Sequence, residues 1–192
     1  MVPTLLAWMA GFFDGEGSIS CHCTNRKSAY VRLVVSVCQR DARPIEIFQN
    51  AFPYGHTYTW KGPKGTPIAD WSCGGDTALM FLQCVRPYLV VKAERADLAI
   101  EFLTKPWRSH GNAHGGKRIL RTAEQKYIDV KLAHQITILN AKGNQNAKTR
   151  ARTFLDGIQF DDAMPYRPPT DLTTGRFLPI KRDGTSSLDS LG

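Results

Sequence analysis

Two carboxylates stand almost side by side in the segment Asp14-Gly15-Glu16-Gly17. The residues before them, 4–13, read as a helix. Leu5, Leu6, Met9, Phe12 and Phe13 give it apolar faces, and Pro3 suits its start. The glycines are expected to end it, which leaves both acids at a helix C-terminus. That end already carries partial negative charge, so acids are unfavourable there unless a cation compensates. A cluster of such oxygen ligands suits a hard divalent cation, magnesium being the obvious candidate. Ala7, Gly11 and Gly15 lie four residues apart and share one helix face. Small residues in such a row let two backbones approach closely; the alternative is a helix that packs only on its own sheet. Paired helices would set two acidic ends beside each other and complete the ligand cluster.

The elements that must position these groups are legible from pattern. Residues 18–23 and 30–37 alternate as strands do, with a polar turn at 25–28, so they form a hairpin. Asp41 caps a short helix over 44–52, with Ile45, Phe48 and Phe52 on one side, and Pro53 ends it. Residues 56–61 and 68–73 make a second hairpin around the tip Gly62-Pro63-Lys64-Gly65. Asp76 is placed to cap a helix over 77–86, which Pro87 breaks, and another helix spans about 92–103. A Gly- and His-rich loop follows at 108–117. Thr122 with Gln125 resembles a capping box, opening a helix to about residue 142 that Gly143 terminates. The order helix, hairpin, helix, hairpin, helix, helix predicts an α+β domain with one mostly antiparallel sheet. We place that domain at 1–160. The remainder, 161–192, contains Pro165, Pro168, Pro169 and Pro179 with little periodicity, and reads as an extended or disordered tail.

Composition bounds the function. The chain has 192 residues, 42% hydrophobic and 22% charged, enough for a real core in one domain. Its apolar runs are too short to cross a bilayer, and residues 1–9 lack the basic start and small-residue cleavage site of a secretory signal. An intracellular protein is expected, in cytoplasm, nucleoid or an organelle matrix, with no membrane partner. The net charge of +8 from 25 Lys+Arg and 17 Asp+Glu fits either plain solubility or a polyanion partner whose counterions are released on binding. Five cysteines, Cys21, Cys23, Cys38, Cys73 and Cys84, are an odd and irregularly spaced set, which argues against a disulfide framework.

The run Leu6-Ala7-Trp8-Met9-Ala10-Gly11-Phe12-Phe13-Asp14-Gly15-Glu16-Gly17-Ser18-Ile19 resembles the motif of the LAGLIDADG homing endonucleases. The resemblance covers roughly residues 5–103 and, more loosely, the helix ending Leu139-Asn140. It implies an αββαββα fold with a saddle-shaped antiparallel sheet, followed here by C-terminal helices. It implies that Glu16, with the main-chain carbonyl of Gly15, holds magnesium, and that Asp14 stabilises the helix end. The stretch Val37-Cys38-Gln39-Arg40-Asp41 is similar to the family segment whose polar residue orients the attacking water, here Gln39. Pro87-Tyr88-Leu89-Val90-Val91-Lys92 matches the segment whose lysine, Lys92, reaches the cleavage site. The implied reaction is hydrolysis of both strands of double-stranded DNA. Because only one copy of the motif is present, the resemblance implies a homodimer, with Ala7 and Gly11 in its interface and a nearly palindromic target.

Recognition would then come from the sheet. With period two, Ser20, His22, Thr24 and Arg26 share a face, as do Tyr30, Arg32, Val34 and Ser36. Its polar, basic character is unusual for a face covering a core and suits a ribbon in the major groove, where Arg reads guanine. The alternative is a merely solvated face. In the second hairpin Lys61, Lys64, Asp70 and Ser72 are the candidates. Cys21-His22-Cys23 with His110 and His114 does not make a zinc site, since the cysteines face away from His22 and the spacing is wrong. His110, Asn112 and His114 spell an HNH nuclease only superficially, without its ββα context. Lys148, Arg150 and Arg152 form a phosphate-contacting or a solvated patch. Two other functions fit the same fold: an RNA-binding maturase that assists intron splicing, and a DNA-binding regulator that has lost catalysis.

Overall fold

The first helix, α1 (Pro3–Glu16), runs through Gly15, where the sequence led us to end it. Its last turn closes through the Gly17 N–H, which donates to the Phe13 carbonyl. Contacts made by Asp14 elsewhere in the chain outweigh the poor helix propensity of Gly15. The helix stops at Gly17, and only glycine fits there. A Cβ would fall 2.1 Å from the Phe13 ring, so the chain leaves the helix directly over that side chain and enters the sheet.

The computed structural model describes residues 1–25, 30–62, 65–108 and 121–141. After α1 come β1 (Gly17–Asn25), β2 (Tyr30–Gln39), α2 (Ala42–Ala51), β3 (His56–Lys61), β4 (Pro67–Cys73), α3 (Gly75–Val85), α4 (Ala93–Thr104) and α5 (Ala123–Ala141). A 3-10 turn at Arg86–Tyr88 joins α3 to α4. The expected αββαββα order with added C-terminal helices is present. The domain boundary near 160, the loop histidines His110 and His114, the basic group Lys148, Arg150 and Arg152, and the tail from 161 lie outside the described residues.

The strands form one antiparallel sheet in the order β1-β2-β4-β3. Ile19, Val31, Leu33, Val35, Val37, Trp71 and Cys73 point to one side of it and are buried. The helices join them in one core: Phe13 of α1 meets Phe81 of α3 edge-on at 5.1 Å, and Phe81 and Phe48 both lie against Trp71, at 5.3 and 5.4 Å. Phe13 therefore fixes the end of α1 to the core three residues before Glu16.

Capping follows the sequence in two places and departs from it in one. Asp41 accepts from the Arg43 N–H at 3.0 Å as the cap of α2. Thr122 and Gln125 make the reciprocal pair before α5, at 3.0 and 3.2 Å. Asp76 does not cap α3. That helix begins two residues earlier than expected, with Gly74 at its N-cap and Gly75 at φ +57°, a conformation glycine adopts without strain, and Asp76 falls in the first turn. An acid there still suits the positive helix end. Among the described residues no helix is long and apolar enough to cross a membrane, and the described cysteines, Cys21, Cys38, Cys73 and Cys84, are free thiols.

Candidate active site

At the C-terminal end of α1 the two carboxylates have different fates. Asp14 turns inward and accepts from three consecutive main-chain N–H groups, Val90 at 2.7 Å, Val91 at 3.0 Å and Lys92 at 2.8 Å. Burial acts to raise its pKa, but these amides and the Lys92 charge outweigh it and leave the Asp14 carboxyl below its ordinary value. Asp14 thus ties α1 to the segment that opens α4. Both of its oxygens accept from protein donors, so the carboxylate is engaged by the fold.

Lys92 answers from the other side. Its ammonium donates to the main-chain carbonyl of Asp14, placing a cation at the helix end where partial negative charge collects. The side chain is buried, at 6% exposure. Burial, then the charge of Arg95, pushes its pKa down, while the carboxylates of Asp14 and Glu16 pull it up. The net lowering makes its proton easier to give up than that of a solvated lysine.

Glu16 is exposed. Its charge acts on Lys92 and, across the end of the sheet, on the Cys38 thiol of β2. Gly15, next to it, is exposed as well. Gln39 closes β2 at the same end of the sheet, one residue beyond Cys38, and its side-chain oxygen accepts from the Arg40 N–H at 2.8 Å. Glu16, Lys92 and Gln39 are therefore held at one end of the molecule, by α1, by the start of α4 and by the end of β2. Among the described residues no three His, Cys, Asp or Glu side chains come together to hold a metal. The fit to magnesium is nevertheless good in kind: an exposed carboxylate beside a main-chain carbonyl is hard oxygen, and further ligands would have to come from a second chain or from phosphate.

The remaining candidates lie along the sheet. On the side away from the core, paired residues form rows across the strands: Ser18, Ser36, Ser72 and His56 make one, and Cys38, Asp70 and Tyr58 make another. Ser20 sits opposite Val34, and His22 opposite Arg32. Ser20 bonds the His22 ring at 3.1 Å. Burial raises the Asp70 carboxyl above the usual range, against the hydrogen bond from Tyr58, and its Oδ1 has no partner among the described residues. Tyr30 carries the Arg121 guanidinium over its ring at 4.6 Å. Lys61 is exposed but alternates with Thr57 and Thr59, on the Trp71 side of the sheet. Thr24 continues β1, whereas Arg26 and Lys64 lie outside the described residues. Sequence reasoning missed His56, Tyr58 and Trp60, which share the open face with Asp70 and Ser72. The period-two alternation of β3 was the signal that could have found them.

On the outer side of α1, Ala7, Gly11 and Gly15 are all exposed. A Cβ built on Gly11 or Gly15 meets nothing within 4 Å among the described residues. Neither glycine is required by packing among the described residues, although each costs a helix about 0.5–1 kcal/mol relative to alanine. Val90 and Val91, 83% and 64% exposed, stand beside the same helix end.

The fold recurs in known structures. It superposes on the homing endonuclease I-CvuI, in complex with the I-CreI target in the presence of 2 mM Mg with the DNA not cleaved, at TM-score 0.56 and 20% identity over 79% of this chain and 92% of that one. It also superposes on an archaeal intron-encoded homing endonuclease, I-Vdi141I, complexed with DNA, at TM-score 0.54 and 16% identity over 79% and 94%. The homing endonuclease I-TnaI matches at TM-score 0.51 and 18% identity over 80% and 97%. No family model and no curated protein matches the sequence. The chain has the LAGLIDADG homing-endonuclease fold.

Proposed function

We propose that the chain is a site-specific DNA endonuclease, intracellular and homodimeric, that hydrolyses both strands of a long, nearly palindromic site. One observation carries the reading: Glu16 is an exposed carboxylate at a helix C-terminus, within electrostatic reach of a buried lysine, while its neighbour Asp14 is consumed by the fold. An acid left open at that electrostatically unfavourable place is explained by a cation that arrives with the substrate. Glu16 and the Gly15 carbonyl would hold magnesium. When bound, the ion lowers the pKa of water and neutralises charge developing on the scissile phosphate.

The chain's own groups do the rest. Lys92 holds its proton beside the site and supplies positive charge where the phosphate gains negative charge. Gln39 orients the attacking water through its amide. Ser20, His22, Thr24, Arg26, Tyr30, Arg32, Ser36, Asp70 and Ser72 read the duplex, with Lys64 at the second hairpin; Lys61, on the Trp71 side of the sheet, is not among them. The dimer is supported by Gly11 and Gly15, which packing among the described residues does not require, and by the exposed Val90 and Val91 at the end of the same helix. Burying those apolar side chains between two copies would favour association.

The test is incubation with a randomised duplex library in magnesium, followed by sequencing of cut ends and light scattering on the selected duplex. A double-strand cut at a nearly palindromic site by a particle of two chains is expected. No double-strand cut, together with tight RNA binding, would sink the endonuclease in favour of the maturase. Site-specific binding without a cut would favour the inactive regulator, and one chain per duplex would remove the dimer.

A further inference from the structure

Asn140 lies near the end of α5, 121 residues from its main partner in sequence. Its Nδ2 donates to the Ile19 carbonyl at 2.7 Å, and its Oδ1 accepts from Arg95 Nη1 at 3.0 Å. Arg95 continues the connection, donating from Nη2 to the Val91 carbonyl at 3.4 Å. Ile19 is three residues past Glu16. Val91 is the residue before Lys92, and its N–H is one of the three held by Asp14. The amide group of Asn140 therefore joins the strand that leaves Glu16 to the segment that presents Lys92.

An edge strand alone would account for only half of this. Among the described residues β1 has a single neighbour in the sheet, so a carbonyl on its other side needs a donor from elsewhere. A lysine or serine could supply that donor. Donating to one main-chain carbonyl while accepting from the guanidinium that holds another requires both ends of a carboxamide in one orientation. The same two segments are already joined once, by Asp14 to the amides of Val90, Val91 and Lys92. Asp14 fixes them from the α1 side, and Asn140 with Arg95 fixes them from the α5 side.

We infer that Asn140 is a positioning residue for the nuclease site, setting the separation of Glu16 and Lys92 through the Ile19 and Val91 main chain. The inference rests on the endonuclease reading for its catalytic consequence but not for the coupling itself. Small misplacement of reacting groups far from the chemistry slows a reaction steeply while leaving binding intact. The signature is therefore a slower step at saturation with unchanged affinity.

The experiment uses the full chain and two variants. Asn140→Leu removes both links; Asn140→Asp keeps the acceptor for Arg95 and loses the donor to Ile19. With the duplex recovered from the library, both are expected to cut at saturating protein at least ~10-fold more slowly. Binding of that duplex in calcium is expected to stay within ~2-fold, because the bonds of Asn140 go to Ile19 and Arg95, neither of them among the residues proposed to read the duplex. In the DNA-free protein, hydrogen exchange at the Val90, Val91 and Lys92 amides is expected to speed up in both. A saturated rate per bound complex equal to the parent's, with only thermal stability reduced, would overturn the inference. If the parent cuts no DNA, the endonuclease reading has failed, and exchange alone decides the coupling. Faster exchange then upholds it, and unchanged exchange overturns it.

Discussion

Asp129 and Glu16 are both carboxylates on helices, and the molecule treats them in opposite ways. Asp129, on α5, has no exposed surface and accepts from Trp107 Nε1 at 3.1 Å, Arg108 Nε at 2.8 Å and Arg121 Nη1 at 2.8 Å. Arg108 goes on to the Val31 carbonyl at 3.0 Å and lies 3.4 Å over the Phe102 ring. Every part of that cluster is used to join α5, the end of α4 and the start of β2. Glu16 is exposed. The comparison separates two uses of buried and open charge. A carboxylate saturated with donors from its own chain holds the fold. One left open at a helix end, with a buried lysine nearby, is available to a ligand. Asp14 stands between them, two residues from Glu16 in the chain but held by donors of its own chain like Asp129.

The largest expected effect on the fold comes from breaking the saturated site. Asp129→Ala leaves two guanidiniums buried without their carboxylate and should lower stability by about 3–5 kcal/mol. Urea unfolding measures this, and cutting by the molecules that remain folded should change little. A loss under about 1 kcal/mol would mean the cluster is not a structural anchor.

Asp14→Asn tests the intermediate case and should lower stability by about 1–3 kcal/mol at neutral pH, since hydrogen bonds to a charged acceptor are weakened. The sign with pH follows from the depressed carboxyl. Its stabilisation is fully present above the unfolded carboxylate range and is lost as pH falls through the lower folded value. The gap between parent and variant should therefore close in acid. Urea melts at neutral and acid pH decide it, and a gap that widens in acid would contradict the assignment.

Asp70 gives the smallest effect, of opposite sign. Burial raises its pKa, so the unfolded chain loses that proton first and stability falls as pH rises through the window between the two values. Asp70→Asn should stabilise the protein at neutral pH by a few tenths to about 1 kcal/mol, discounted for its partial solvation, and not at all in acid. Selected duplex sites should change at the base pairs that meet the second hairpin. A stabilised variant with unchanged preference would mean that Asp70 serves only the sheet.

What was legible in the sequence was whatever depends on neighbours along the chain. The Thr122 and Gln125 capping pair, the Asp41 cap, the alternation of β1 and β2 and the acidic helix end are all local signals. Asp129 was not legible. Within α5 it reads as one more solvated acid, and its arginines lie 21 and 8 residues away in segments without pattern. Nor was the role of Asn140, whose partner is on the first strand. The extension of α1 past Gly15 belongs to the same class, because Asp14 is held by amides 76 to 78 residues distant. Asp76 misled for a different reason: two glycines before it let the helix start earlier than a capping aspartate would.

On the endonuclease reading the open carboxylate, Glu16, serves chemistry, while Asp14 and Asp129 serve the fold. Glu16→Gln tests it most directly, with cutting of the selected duplex measured in magnesium and binding measured in calcium. Cutting should fall by at least ~10³-fold, as expected when a group acting on transition-state charge is lost. Binding and unfolding should stay close to the parent's. A variant that still cuts near the parental rate would contradict the assignment of Glu16 as the residue that holds the metal.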